Sequence, residues 1–233
     1  MAPDRTLGAA AGPAAAPVVR RACAQILRDD ERALRAAAPR VRVSVVADAA
    51  LSCGVGVRGA PEYVARARST GLALVRRSSG GTGVVHAPGD LVWSVVLPRS
   101  DPRVGRDFNR AYARLGRGLV RFLEANGVAG SWTAPPGVSD GCCVLGHRGE
   151  VLAVGARVLG GAAQHVTRDA LLHQGMVPLA VDRALARRLF ALDPADADRL
   201  VGLGDLGIVG DPEALAARLA DALVSGLGSD RTR

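Results

Sequence analysis

Two short stretches of this chain carry residue types that do chemistry. The first is RRSSGGTGVVHAPGD, Arg76 to Asp90. Gly80, Gly81 and Gly83 let bare backbone approach a ligand closely, and successive N–H groups in such a turn form a nest for an anion. Arg76 and Arg77 would add charge-assisted bonds to a phosphate or carboxylate, and His86 follows within reach. The second stretch holds an adjacent thiol pair, Cys142 and Cys143, followed closely by His147 and Arg148. A thiolate beside a cation is a strong nucleophile. The glycine loop is not a Walker loop, because no Gly-Lys-Ser/Thr follows. Nor is it a dinucleotide fingerprint, because a strand follows where that motif needs a helix. All 30 basic side chains are arginine, so no lysine is available for any reaction.

The elements that must position these groups can be read from periodicity. Val18 to Ala38 reads as a helix ended by Pro39. Val41–Val46, Leu72–Arg77 and Leu91–Leu97 read as strands, and Leu51–Val57 as a short apolar segment broken by glycines. Pro61 opens a helix to about Ser69. Asp107 to Ala125 is amphipathic and stopped by Gly127. Glu150 to Gln164 reads as a hairpin turning at Gly155. Asp211 caps a last helix with Pro212 in its first turn and Leu215, Leu219 and Leu223 on one face. Residues 1–17 read as a disordered tail, and 18–228 as one domain without repeats. The expected class is α+β, with a central mixed β-sheet and packed helices.

Bulk properties remove several functions. Of 233 residues, 48% are hydrophobic, enough for a substantial core. No apolar run reaches membrane-span length, so no membrane partner is expected. Net charge is +8 but aromatics are only 3%. Stacking platforms are scarce, no nucleic-acid motif appears, and nucleic acid is not expected as a partner. The basic surface suits instead an acidic carrier domain or the phosphates of coenzyme A. Four cysteines in a chain of this size suggest a reduced, cytoplasmic protein, with Cys23 and Cys53 in the core.

The glycine loop resembles the hallmark of the biotin/lipoate protein ligase and octanoyltransferase superfamily, in Arg76, Arg77, Ser79, Gly80, Gly81, His86, Gly89 and Asp90, with Thr82 in place of a third glycine. A downstream stretch, GGAAQHVTRDALLHQG, is similar to a second motif of that family. Gly161, Ala163, Gln164, Leu171, Leu172 and Gly175 fall in register, with His173 and Gln174 exchanged. DDERALR is similar to the family's N-terminal helix. The resemblance spans about 18–228. It implies a mixed sheet with helices around it, and a pocket for an acyl chain or acyl-adenylate between the glycine loop and the hairpin residues Gly160–Gln164, with His86 and His173 near it.

The family's lysine lies six residues before the glutamine, where this chain has Val158, or Arg157 if the register slides by one. Arginine is no neutral replacement for an ammonium. One branch of the family places a nucleophilic cysteine about fifteen residues before the lysine. Counting back from Val158 gives Cys143, and from Arg157 gives Cys142. The resemblance therefore implies an acyltransferase of the octanoyl/lipoyl-transferase type. It would take a thioester of acyl carrier protein or coenzyme A and pass the acyl group through a cysteine to a lysine of a lipoyl domain or to a small amine. No cofactor is required, and ATP enters only under the alternative of a lipoate-type ligase with a separate accessory subunit. A non-catalytic acyl-binding protein is the third reading.

Overall fold

The computed structural model describes residues 13–105 and 107–228. Seven strands form one mixed sheet: β1 (Val19–Arg21), β2 (Arg40–Val46), β6 (Leu91–Pro98), β10 (Ala170–Val177), β9 (Arg157–Val166), β8 (Val151–Val154) and β7 (Ser131–Thr133), in that spatial order. β1 runs parallel to β2, and the other pairings are antiparallel. A smaller sheet stacks β4 (Ala73–Arg76), β3 (Ala50–Cys53) and β5 (Gly83–His86). The α+β class with a central mixed sheet matches the reading from sequence.

Alternation along the central strands decides which side chain meets which layer. Trp93, Val95 and Leu97 of β6, with Leu171 and Val177 of β10, pack under two long helices, α3 (Phe108–Glu124) and α6 (Pro212–Gly228). Leu115, Leu119, Leu215, Leu219 and Leu223 close that layer. The Asp211 carboxylate caps α6 by accepting from the Ala214 N–H at 3.0 Å. The opposite face of the sheet meets α1 (Cys23–Arg35) and the small sheet. Ile26, Leu27, Ala33 and Leu34 form the buried stripe of α1. Beneath it lies an ion pair between fully buried partners: Arg42 Nη2 is 2.5 Å from Asp30 Oδ1, and Ser94 Oγ donates to the same oxygen at 2.6 Å.

Local differences from the sequence reading have simple causes. The expected helix from Val18 divides into β1 and α1. Val19–Arg21 pairs with Ser44–Val46, and the Asp48 carboxylate accepts from the Cys23 N–H to start the helix afterwards. Of the expected tail, 1–12 lie outside the described residues, while the Ala16 N–H donates to the Val41 carbonyl at 2.8 Å. Glu62–Ser69 forms α2 as expected, and two short helices follow the sheet, α4 (Arg183–Phe190) and α5 (Pro194–Asp198).

Candidate active site

The site lies between the small sheet and the inner face of β9 and β10. Its organiser is Arg77, which leaves the end of β4 and is buried. Nη1 donates to the Ser52 carbonyl at 2.9 Å and to Ser52 Oγ at 3.1 Å. Nε and Nη2 donate to the Gly80 carbonyl, and Nη2 also to the Thr82 carbonyl. The same Nη2 stands 3.7 Å from Cys143 Sγ. The glycine loop therefore turns carbonyls, not an anion nest, toward this arginine. One guanidinium both shapes the loop and faces the thiol. Burial pulls its pKa down, while Cys143, Cys53 and Tyr63 nearby hold it up.

The loop tolerates this approach only because it is glycine. Gly81 has φ +88°, and a Cβ there would lie 2.5 Å from Cys143 Sγ. Across from it, a Cβ on Gly54 would lie 2.1 Å from the Gly81 carbonyl oxygen. The second tether is Ser79, fully buried, whose Oγ accepts from Gln174 Nε2 at 2.8 Å.

Three hollows meet around these groups. An inner cavity of about 580 Å³ runs from Arg77, Ser79 and Cys143 between the two sheets and is otherwise mostly apolar, with Leu27, Val92, Val151 and Met176 in its walls. An open cleft of about 1110 Å³ is lined by Gly80, Gly81, Tyr112, His147, Ala162 and Gln164. Cys143, Arg148, Ala162 and Ala163 belong to both, so the thiol sits where the two join. A side chamber of about 1000 Å³ lies beyond His86, lined among others by Cys142, Val158, Gly160, Leu185 and Phe190.

The two cysteines are thus adjacent in the chain and divided by environment. Cys142 is buried and its thiol is pushed up to about 12 by desolvation. It faces the side chamber. Cys143 is half-buried, at the junction, beside a cation. Of the two nearby groups expected to assist a thiolate, Arg148 lines the inner cavity with Cys143. His147 is exposed and turned to Asp140, 3.3 Å away.

Other sequence candidates divide in the same way. Arg76 is exposed and donates to the Val57 carbonyl at 2.6 Å, and it lines none of the three hollows. Its strand neighbour turns inward, and period two sends Arg76 outward. Arg157 follows the Gly155 turn and is exposed, again outside the hollows, while Val158 points into the side chamber. His173 faces the helices, stacked edge-on between Trp93 and Tyr112, and the three hollows do not include it. Gln174 occupies the inner face instead. Gly89 and Asp90 hold backbone: the Gly89 N–H donates to the Val46 carbonyl, and the Asp90 carboxylate accepts from the Ala87 and Leu179 N–H groups. Burial pushes Asp90 up to about 7.

His86 is buried, with Nε2 2.9 Å from Ser52 Oγ. Arg77 can only donate, so Ser52 Oγ accepts from it, and the hydroxyl's own proton and second lone pair let it meet Nε2 in either ring tautomer. Burial and the Arg77 charge lower His86 to about 3, so the ring is neutral at pH 7. Gly161 and Ala163 line the inner cavity and Gln164 the cleft. The residues that sequence reasoning missed are Ser52, Tyr112, Gln174 and Met176. For the last two no periodic signal was available, because β10 is buried on both faces and lacks the alternation that marks an inner face.

Residues 41–201 match the model of the lipoyl protein ligase A/B catalytic domain, well over half of the chain. The chain belongs to that family. Among its relatives, octanoyltransferase LipM of an Exiguobacterium species is 30% identical over 134 residues, 54% of this chain and 48% of the relative. Octanoyltransferase LipM of Oceanobacillus iheyensis is 32% identical over 126 residues, 53% of this chain and 45% of the relative. The chain thus spans about half the length of the curated relatives it matches. A crystal structure of lipoate-protein ligase A bound with ATP superposes with a TM-score of 0.74 at 20% identity, covering 93% of this chain and 84% of that one. A bi-partite lipoate protein ligase from Thermoplasma acidophilum gives 0.66 at 19% identity, covering 92% and 83%. These two support the fold: a lipoate ligase-like catalytic domain.

Proposed function

We propose that this domain is an acyltransferase that carries an acyl group from a thioester donor through Cys143 to an amine. The observation that carries the proposal is the position of Cys143 Sγ, at the mouth of an apolar cavity, open to a polar cleft, and 3.7 Å from a buried guanidinium. The acyl chain would lie in the inner cavity with its carbonyl at the junction. The donor, an acyl carrier protein or coenzyme A thioester, would approach through the cleft. Attack of the Cys143 sulfur on the donor carbonyl forms a new thioester and releases the donor thiol, which takes the proton. An amine then attacks the Cys143 thioester, an amide forms, and the Cys143 thiol is regenerated. The Arg77 charge, beside the Cys143 sulfur, would stabilise the negative charge that sulfur carries as nucleophile in the first step and as leaving group in the second. A fixed donor of this kind is typically worth about 10²–10³ in rate.

In this reading Arg77 supplies a cation in a chain that has no lysine, and Val158 leaves the side chamber apolar. The acceptor is an amine, either the lysine of a lipoyl domain or a small molecule. Both steps are thermoneutral exchanges or downhill, so ATP is not required. The relatives named octanoyltransferase support this reading over the ATP-dependent one.

The test is incubation with octanoyl-coenzyme A without nucleotide, followed by intact-protein and peptide mass spectrometry. A hydroxylamine-labile octanoyl adduct on Cys143 is the expected result. Labelling that needs free octanoate and ATP would replace the reading with a ligase. Tight acyl binding without any adduct would leave an acyl-binding protein.

A further inference from the structure

The side chamber is larger than the inner cavity, yet the proposed transfer does not use it. The two hollows share a wall of four residues, Val84, His86, Val144 and Met176. Three of these are poorly suited to move. The valines are short and β-branched, and His86 is held by Ser52. Met176 is unbranched and half-buried, and its three rotatable bonds make it the most adaptable of the four. Its backbone is fixed by pairing with Val92 on β6 and Gly161 on β9, so any movement belongs to the side chain alone.

The chamber's chemistry limits what it can take. Its walls are mainly aliphatic, with Phe190 at one end, and its lining contains no arginine, although the chain has 30. Its ionisable carboxyls are Asp90, which is engaged by two backbone N–H groups, and Asp182 at the rim, which caps α4. An anionic ligand would meet no countercharge there and two carboxyl groups. A hydrocarbon chain meets the surface it needs.

We propose that Met176 is a gate between the inner cavity and the side chamber, and that the chamber receives the distal end of acyl chains too long for the inner cavity. This inference rests on the acyl-binding role assigned to the inner cavity under the proposed function. With the methionine across the opening, chains end in the inner cavity. With it swung aside or shortened, the two hollows become one continuous apolar channel.

Octanoic, dodecanoic and hexadecanoic acids serve as probes, titrated by calorimetry into Cys143→Ala protein so that binding is read without acylation. The parent should bind octanoate more tightly than hexadecanoate. Met176→Ala should raise hexadecanoate affinity by about tenfold or more, with octanoate little changed. Met176→Val, a milder truncation, should shift the profile in the same direction. Adding Leu185→Trp, which fills the chamber from its far side, should cancel the gain and leave octanoate binding intact. Melting temperatures taken on the same samples confirm that each protein is folded. If octanoate binds but both Met176 variants keep the parent's length profile, or the gain survives Leu185→Trp, the gate is refuted and the acyl pocket stands. If no acid binds any of the proteins, both fall. Displacement of hexadecanoate from Met176→Ala by ATP would also refute the assignment, since it would make the chamber a nucleotide site.

Discussion

The two faces of the seven-stranded sheet are built from the same strands and behave as different materials. Toward α3 and α6, β2, β6 and β10 present Val41, Val43, Val45, Trp93, Val95, Leu97 and Leu171, packed without an ion pair. Toward α1 and the small sheet, the same three strands present Arg42, Ser94, Gln174 and Met176, and the hollows lie there. The polar groups of the second face are organised: Arg42 with Asp30, Gln174 with Ser79, Arg77 with Ser52 and the loop carbonyls. A tight apolar layer can absorb the cost of an incompletely filled one, and cavities held open by hydrogen-bonded polar groups are what a chain-binding site requires. Under the proposed function, the first face carries stability and the second carries chemistry.

If that division holds, substitutions on the site face should cut turnover far more than stability. The largest effect should come from Cys143→Ala. Acyl-enzyme formation should disappear, with transfer reduced by about 10³ or more, while the melting temperature stays near that of the parent. Cys142→Ala should retain activity per folded molecule and cost about 1 kcal/mol of stability, because Cys142 is a buried packing residue. Full activity of the Cys143 variant would break the comparison at its centre. Arg77→Met comes next. It should lower transfer by about 10²–10³ and loosen the loop, read as faster amide exchange at Gly80–Thr82. Arg77→Lys should restore little, since one ammonium cannot reach Ser52, Gly80 and Thr82 together.

The opposite face gives the converse. Leu119→Ala, fully buried under α6, should cost about 2–5 kcal/mol in denaturant unfolding, with turnover per folded molecule unchanged. A large drop in that turnover would show that the helical layer tunes the site as well as supporting it.

How much of this division was legible beforehand depends on the signal each residue carries. The helical stripe of α6 was readable because Leu215, Leu219 and Leu223 repeat on one face and Asp211 announces the cap. The strands of the centre were readable from their β-branched runs. The site was readable in outline only. Motif order pointed to the loop at Arg76–Gly81 and to Gly160–Gln164, and the structure brings both onto the hollows except for Arg76. It could not separate Arg76 from Arg77, Arg157 from Val158, or His173 from Gln174. Each of those choices depends on strand phase, and a one-residue step exchanges the two faces. The strand β10 itself went unread, because LLHQGMV lacks the alternation of a half-exposed strand when both faces are buried.

His173 supplies the finest test of the comparison, because it is a polar residue on the sealed face. It is fully buried, both ring nitrogens lack a hydrogen-bond partner, and it lies edge-on between Trp93 and Tyr112. Burial lowers it to about 3, so the folded protein holds it neutral while the unfolded chain titrates near the ordinary value of 6.5. Between those values the unfolded state binds more protons, so stability rises with pH across the window. The contribution of His173 is present above about 6.5 and is lost as pH falls toward 3. The loss is on the order of 1 kcal/mol per pH unit at most. His86, lowered for the same reason, adds to this acid limb. Asp90 acts against it. Its folded value near 7 lies above the ordinary carboxylate range, so the folded state holds the extra proton between about 4 and 7, and stability falls as pH rises through that window. Total stability therefore mixes opposing terms, and the informative quantity is the difference between parent and His173→Phe. A phenyl ring retains the edge contacts and removes the titration. The variant should match or exceed the parent below pH 6, and its advantage should shrink as pH rises to 7, measured by urea unfolding at pH 5, 6 and 7. A difference that does not change with pH would mean that His173 finds a proton partner in solution, and that the helical face is less sealed than its packing indicates.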